Sequence, residues 1–390
     1  MRSTRSVPPM FASRLFAQLT CCAVAALLVS LSPPRVSAQQ VSGTVFARDS
    51  GDPVEGARVF VDATTIGAVT DAGGQFTLGL PPQPSFTIVT YFPNFEVQET
   101  AHGTASSAAP LRIELVPAAA PADPPAPAAD RDAAMRLLTD ALFTWSNWGR
   151  KCTIVNPDAL DLRSGPGRDE LTAQSAIPIE MTNEELGYRM TWYGFRFTGG
   201  PHLPVIHGRV FFEEHGDAKK HAKKWLNNRK EAYRGSFRHF ARSLVDERLR
   251  RELFGAYHVD DPGSLFDGRP VAEMGRDRYG SGIAKPILRE GSSPDVRTLM
   301  FNGWLYVSHP YSGSLDAQFV ERYWPISPTR DLLLEQTSNS GSWILLSSSS
   351  LTLDRTGAML DYPSHVWIQL EGAMGMRRFD RMLPNDYVAD

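Results

Sequence analysis

The segment from Asp217 to Phe254 constrains the fold most, because it is the longest part of the chain with a clear helical period. In its second half, apolar residues recur at steps of three to five, which forms one apolar stripe along a helix. Gly235 and Ser236 interrupt the pattern. We therefore predict two helices that meet at Arg234–Ser236 and give a mostly β domain its core. The predicted stripe comprises Phe237, Phe240, Ala241, Leu244, Leu249 and Leu253.

Strand patterns dominate the residues around this segment. The best one runs from Gly187 to Thr198, where the alternation of aromatic residues changes phase at Tyr193–Gly194 and predicts a β-bulge. Val205–Phe212 is expected to pair with it as a hairpin, whereas Asp260–Asp295 is predicted to be a long loop. A short helix is predicted at Ala133–Phe143, and further strands at Lys151–Leu162, Leu171–Met181, Arg297–His309, Leu332–Gln336, Trp343–Leu353 and Ala358–Asp361.

The first 38 residues have the pattern of a secretory signal peptide. Arginines precede an apolar run from Leu19 to Leu31, and small residues end the segment at Ala38. The run is too short to span a bilayer comfortably, since about 20 residues are needed. Cleavage removes four arginines and changes the formal net charge from −3 to −7. It also leaves one cysteine, Cys152, which cannot form an internal disulfide and which we interpret as a buried thiol.

Residues 40–117 carry short strand patterns at roughly ten-residue spacing, which favours a small β-sandwich. Turns are predicted at Asp49–Pro53 and at Thr70–Gly74, where the Asp71 carboxylate can accept hydrogen bonds from nearby amides. The segment also contains Gly43, Val45, Pro53, Gly56, Ala57, Val59, Thr70, Asp71, Gly74 and Phe76. This pattern resembles the carboxypeptidase regulatory-like domain, which implies a transthyretin-like sandwich and no peptidase activity.

Residues 118–130 are rich in proline and alanine and are predicted to form an extended spacer that lets the flanking domains move apart. Residues 131–390 then form a second domain, predicted to be α+β, with antiparallel sheet packed around the helical pair. The domain contains Asn183, Leu186–Tyr188, Lys224–Trp225, Asn228–Arg229, Ala232–Tyr233, Gly235–Ser236, His239–Phe240, Leu383–Pro384 and Asp386–Tyr387. This pattern resembles the C-terminal region of secreted proteins of Bacteroidota-like bacteria, a group without an assigned activity.

Candidate catalytic and metal-binding residues are sparse. Ser236 and His239 are three residues apart, but a serine after a glycine at a helix start is typical of an N-cap. The chain contains no Gly-x-Ser-x-Gly nucleophile elbow and no His-x-x-Glu zinc pair. His258 lies close in sequence to Asp260 and Asp261 without further ligands at a recognisable spacing. We therefore predict no catalytic, cofactor-binding or metal-binding residues and no cofactor.

Two groups of charged and polar residues remain as candidate sites. Twelve basic and five acidic residues lie between Asp217 and Phe254, so this segment has a charge of +7 in an acidic chain. Its outward side could be a solvated helix face or a contact for an anionic surface. The candidate basic face consists of Lys219, Lys220, Lys223 and Lys230. The candidate polar cluster at the helix break, which could hold the turn or line a pocket, consists of Arg229, Tyr233, Arg234 and His239.

These patterns predict a non-catalytic exported binding or interaction protein of the bacterial envelope, periplasmic or associated with the outer membrane. Its expected partner is an envelope protein, an anionic lipid or a saccharide, and the acidic balance argues against nucleic acid. A carbohydrate-binding protein is one alternative, because a few of the eight tryptophans could stack on sugar rings. A hydrolase is the other alternative.

Overall fold

The computed structural model describes residues 40–81, 85–103, 109–118, 130–144, 146–165, 170–200, 205–216, 218–259, 269–272, 285–292, 294–310, 341–348, 350–360 and 368–389. The predicted signal peptide, nearly all of the proline-rich spacer and the strand predicted at Leu332–Gln336 lie outside these residues. The described residues are mostly β, as predicted. Their α-helices are α1 Arg131–Leu142, α2 Ala218–Tyr233 and α3 Phe237–Val245.

The N-terminal part, residues 40–118, contains two sheets. One has the strand order β4-β1-β7, and the other has the order β3-β2-β5-β6. The pair β1–β7 is parallel, and the other pairs in both sheets are antiparallel. The strands are β1 Gln40–Ala47, β2 Arg58–Val61, β3 Gly67–Val69, β4 Gln75–Gly79, β5 Ser85–Tyr91, β6 Gln98–Gly103 and β7 Leu111–Leu115.

The residues that carry the first resemblance have structural roles in this part. Asp71 Oδ1 accepts hydrogen bonds from the amides of Gly73 and Gln75, both at 2.9 Å, as the turn prediction required. Gly74 has φ +69°, and a Cβ there would lie 2.5 Å from the Val45 carbonyl oxygen. Turn geometry and close backbone approach therefore account for Asp71 and Gly74 in this pattern.

The C-terminal part, residues 130–389, begins with a six-stranded antiparallel sheet. Its order is β8-β11-β12-β10-β9, and β13 also pairs with β12. The predicted hairpin and bulge are confirmed, since the register of β12 and β13 shifts between Tyr193 and Arg196. The strands are β8 Cys152–Ile154, β9 Asp161–Ser164, β10 Leu171–Gln174, β11 Ile179–Asn183, β12 Tyr188–Gly199 and β13 Val205–Glu214.

Two further sheets complete the C-terminal part. One has the order β16-β15-β14-β19-β20-β22, and the other has the order β17-β18-β21. Strands β15, β16 and β17 lie within the segment predicted to be a loop. The predicted strand at Ala358–Asp361 is wrong, since only an isolated bridge joins Leu353 to Met359 there. The strands are β14 Gly255–Val259, β15 Arg269–Ala272, β16 Lys285–Pro286, β17 Leu288–Glu290, β18 Val296–Met300, β19 Trp304–Ser308, β20 Gly341–Leu346, β21 Ser350–Asp354 and β22 Ile368–Gly372.

The two helices of the predicted pair do not together form the core of the C-terminal part, in contrast to the prediction. Helix α1 packs its buried Leu138 and Leu142 on the first six-stranded sheet. Helix α3 packs Phe240 and Leu244 against the other two sheets of the C-terminal part. Because α3 ends at Val245, Leu253 falls in a turn, where 54% of it is exposed. Helix α2 lies mostly on the surface and buries only Trp225, Ala232 and Tyr233 among its residues with described side chains.

The N-terminal and C-terminal parts are in direct contact, so the predicted separation across the spacer is not what the structure shows. The amide of Ala63 donates to the Val210 carbonyl at 2.8 Å, and the amide of Phe212 donates to the Thr64 carbonyl at 3.0 Å. These bonds pair a loop of the N-terminal part with strand β13. A buried aromatic cluster of Phe60, Tyr193 and Phe211, together with Val89, lies beside them.

Candidate functional site

The helix break at residues 234–236 brings most of the predicted polar cluster together. Helix α2 ends at Tyr233, and Gly235 turns the chain with φ +68°. Ser236 then caps α3, since its Oγ accepts a hydrogen bond from the His239 backbone amide at 3.1 Å. The N-cap prediction is thereby confirmed. The Ser236 hydroxyl is occupied by backbone and does not form a nucleophile–base pair with the His239 ring.

The His239 ring is buried and held at both nitrogens. The amide of Gly235 donates to Nδ1 at 3.0 Å, which places the proton of the neutral ring on Nε2. Nε2 lies 3.6 Å from Glu252 Oε2. Burial lowers the pKa of His239, and the Glu252 carboxylate only partly opposes that effect. The imidazole is therefore neutral near pH 7 and has no nitrogen left to activate a nucleophile.

A second buried histidine, His309, stacks against the same group. Its ring centroid lies 4.4 Å from that of Phe254 and 5.4 Å from that of His239. Burial, with a smaller contribution from His239, lowers the pKa of His309 to about 4. His309 lies 70 residues after His239 in the chain. His309 follows strand β19, and no spacing in the sequence connects it with the helix break.

The polar cluster lines a cavity of about 280 Å³ at the break. Arg242 pairs with Asp246 at 3.8 Å, one helical turn away. The other three cationic side chains in the lining form no ion pair with any described residue. Of these three, Lys230 and Arg234 were predicted as candidate residues, whereas Arg248 was not. The carboxylate of Glu252 was not predicted either. Both Arg248 and Glu252 lie in the turns that follow α3. The lining comprises Lys230, Tyr233, Arg234, His239, Arg242, Ser243, Asp246, Arg248, Glu252 and Ala389.

Arg229, the fourth predicted member of the cluster, lies elsewhere. Its guanidinium carbon is 4.0 Å from the centroid of the Tyr188 ring. Its Nε donates to the Leu186 carbonyl at 2.9 Å, and Nη1 pairs with Glu214 at 2.8 Å. Arg229 therefore fastens α2 to the turn between β11 and β12 and does not contribute to the cavity.

The predicted basic face lies on the outward side of α2. Lys220 and Lys223 are exposed, and neither forms an ion pair within the part of the chain that the structure describes. Lys230 is half-buried and lines the cavity, whereas the side chain of Lys219 lies outside the described residues. Their neighbour Lys224 differs, since its Nζ pairs with Glu185 at 2.9 Å. Three of the four predicted lysines can thus be placed.

The remaining candidates have structural environments. His258 is buried, and its Nε2 lies 2.5 Å from the Asn302 carbonyl oxygen, while Asp260 and Asp261 lie outside the described residues. Cys152 is half-buried, and burial raises the pKa of its thiol, which disfavours the reactive thiolate. Across the described ranges, no group of three or more His, Cys, Asp or Glu side chains could hold a metal ion.

A second cavity of about 480 Å³ lies where the N-terminal and C-terminal parts meet. The N-terminal part contributes Glu96 and Glu99, and the C-terminal part contributes Gln174 and Arg196. The bulge at Gly194 forms part of its wall. Glu99 is already paired with Arg209 at 2.5 Å, so this cavity offers less unpaired charge than the one at the helix break.

Comparison with known proteins identifies the N-terminal part. Residues 41–121 match the family model of the CarboxypepD_reg-like domain. This match confirms the first resemblance. The matched residues do not include the C-terminal part, so its resemblance to secreted proteins stays a prediction. The comparison with curated proteins gives no match.

Two solved structures also show a local similarity. Both are interface mutants of a type II cohesin–X-dockerin complex from Acetivibrio cellulolyticus. Their identities to this chain are 23% and 25%, each over 20% of its length, with TM-scores of 0.17 and 0.16. The matches span 56% and 51% of those chains, about half of their length. At such TM-scores the similarity carries no argument about function.

Proposed function

We propose that this chain is a non-catalytic exported protein that binds an anionic surface of the bacterial envelope through the basic face of α2. The observation that carries the proposal is the lack of ion pairs at Lys220 and Lys223 within the described residues, although Lys224 on the same helix is paired. Exposed ammonium groups without a carboxylate partner are available to an external anion. The proposal also includes a periplasmic or outer-membrane-associated localisation. It further includes a transthyretin-like sandwich in the N-terminal part and an α+β fold in the C-terminal part.

The charge distribution supports a peripheral contact. A helical segment of +7 in an otherwise acidic chain orients the molecule toward a negative surface. Each lysine near an anionic membrane contributes about 1 kcal/mol, so the contact is weak and sensitive to salt. Among the described residues, no helix is long and apolar enough to cross a membrane.

The two alternatives gain less support. The described tryptophans, such as Trp192 and Trp343, are buried or half-buried, which does not favour stacking on sugar rings. The hydrolase alternative depended on Ser236 and His239, whose hydroxyl and ring are both engaged by backbone amides.

Cosedimentation with lipid vesicles tests the proposal. The full chain should bind vesicles rich in phosphatidylglycerol and should not bind phosphatidylcholine vesicles. The variant Lys220→Gln/Lys223→Gln should lose about thirtyfold in affinity, which corresponds to two lysines at about 1 kcal/mol each. Arg136→Gln/Arg289→Gln removes the same charge from two exposed positions outside residues 217–254 and should bind as the unmodified chain does. Equal losses in both variants would contradict a specific role for the basic face.

A further inference from the structure

The cavity at the helix break contains more positive charge than its own carboxylates neutralise. Asp246 is engaged by Arg242, and Glu252 faces the His239 ring. Three cationic side chains are left without an ion pair among the described residues. They are Lys230, Arg234 and Arg248.

The neutral polar side chains in the lining already have hydrogen-bond partners and so offer few acceptors to these three cations. The Ser243 hydroxyl donates to the His239 carbonyl at 2.7 Å, and the Tyr233 hydroxyl interacts with Arg242. The His239 ring presents its Nε2 to Glu252. Among the described residues, the cavity thus combines guanidinium and ammonium donors that have no ion pair with acceptors that already have partners.

The two buried histidines beside the cavity, His239 and His309, are neutral. Burial is the main cause of the low pKa of His309, and the positive charges of Arg377 and Arg234 lower it further. Burial likewise lowers the pKa of His239, while Glu252 opposes this effect and Arg377 and Arg242 add to it. Burial therefore keeps both imidazoles neutral near pH 7, so neither ring adds a positive charge to the cavity.

We propose that this cavity binds the phosphate group of a phosphate monoester. Arginine presents paired N–H donors that match the oxygens of a phosphate, and lysine adds a point charge. A phosphate monoester carries a charge of about −1.5 to −2 near pH 7, which suits three unpaired cations better than a single carboxylate does. Lys220 and Lys223 do not line the cavity, so this proposal does not depend on the contact proposed for the basic face.

Isothermal titration calorimetry at constant ionic strength tests the phosphate site on the full chain. Inorganic phosphate should bind, and the variant Arg234→Gln/Arg248→Gln should lose at least about tenfold in affinity, because each lost charge-assisted bond weakens binding substantially. Arg251→Gln changes an exposed arginine outside the cavity and should keep the affinity of the unmodified chain. Circular dichroism confirms that each variant is folded.

Further titrations identify the source of the phosphate. Tighter binding of glycerol phosphate than of inorganic phosphate supports a soluble monoester, whereas preferential binding of phosphatidic acid vesicles supports a lipid headgroup. Lys220→Gln/Lys223→Gln should leave phosphate binding unchanged, which separates this site from the basic face. The proposal is overturned if phosphate does not bind, if acetate binds as tightly, or if Arg251→Gln weakens binding as much as the double variant.

Discussion

At the scale of single residues, the helix break shows that two side chains with a catalytic spacing, Ser236 and His239, can both be engaged by the backbone. His239 and Ser236 have the spacing of a base and a nucleophile, yet the fold gives each of them a backbone amide as its partner. His309 has the same buried character. These side chains are therefore more informative about stability than about catalysis.

Replacing His309 by glutamine should make stability less sensitive to acid. The pKa of His309 is about 4 in the folded chain, compared with about 6.5 for an unperturbed histidine. The unfolded chain therefore takes up a proton first as the pH falls. The stability that the neutral ring provides is complete above pH 6.5 and is lost progressively between pH 6.5 and about pH 4, by up to about 3 kcal/mol. Urea unfolding followed across this range measures the effect.

The control for this experiment is His207→Gln, which removes an exposed imidazole on β13. His207→Gln should retain the acid sensitivity of the unmodified chain. His309→Gln should lose a large part of that acid sensitivity, because it removes the neutral buried ring. An unchanged pH dependence in His309→Gln would show that His309 is not the buried neutral group inferred from the structure.

At the scale of elements, α2 is held by the turn between β11 and β12 rather than by a broad apolar face. Trp225 Nε1 donates to the Glu184 carbonyl at 2.9 Å, and Asn228 Nδ2 donates to the Glu185 carbonyl at 2.8 Å. Gly187, with φ +70°, lies against the Trp225 ring. Many of the residues that carry the second sequence resemblance therefore form the contacts that hold α2 against the turn between β11 and β12.

Gly187→Ala should destabilise the chain by about 3 kcal/mol, because alanine is strained at positive φ and its Cβ would overpack the site. That Cβ would lie 2.1 Å from the Trp225 ring. Gly216→Ala is a matched control, since Gly216 has φ +60° with no atom within 4 Å of a Cβ. It should cost about 1 kcal/mol from backbone strain alone. Thermal unfolding compares the two variants, and equal costs would argue against the contact with Trp225.

Local features such as turns, caps and bulges were easier to predict from the sequence than the pairing of distant strands. The break at Gly235, the cap at Ser236 and the bulge near Gly194 depend on local backbone chemistry, so they could be predicted from adjacent residues. Long-range pairing could not. Residues 297–309 and 343–353 each form two strands in different sheets, and a run of apolar residues does not reveal where such a run is divided. The cavity needed Arg248 and Glu252, which are brought to the helix break only by the turns after α3.

At the scale of the whole molecule, the C-terminal tail connects α3 with the N-terminal part. Arg238 on α3 donates to the carbonyls of Pro384 at 2.7 Å and Tyr387 at 3.0 Å. The carboxylate of Asp386 accepts a hydrogen bond from the Thr65 amide at 3.1 Å. The tail motif noted in the sequence thus has a structural role, and it adds to the backbone pairing between the two parts.

Arg209 and Asp62 provide the charged contact in the same interface, with Nη1 and Oδ2 at 2.9 Å. Burial raises the pKa of Asp62, whereas Arg209 opposes this effect. Arg209→Met should therefore raise that pKa further and destabilise the chain by about 3 kcal/mol, because a buried carboxylate loses its partner. Adding Asp62→Asn should restore part of the loss, which urea unfolding of the single and double variants measures.

Hydrogen exchange locates this effect in the molecule. In Arg209→Met, the interdomain amides of Ala63 and Phe212 should exchange faster, because their acceptors lie across the weakened interface. The amide of Val61 bonds within the N-terminal part, to the Ile66 carbonyl, and should keep its protection. If Ala63 and Phe212 remain as protected as Val61, the two parts are held together mainly by the aromatic cluster and the tail, and the ion pair contributes only to local stability.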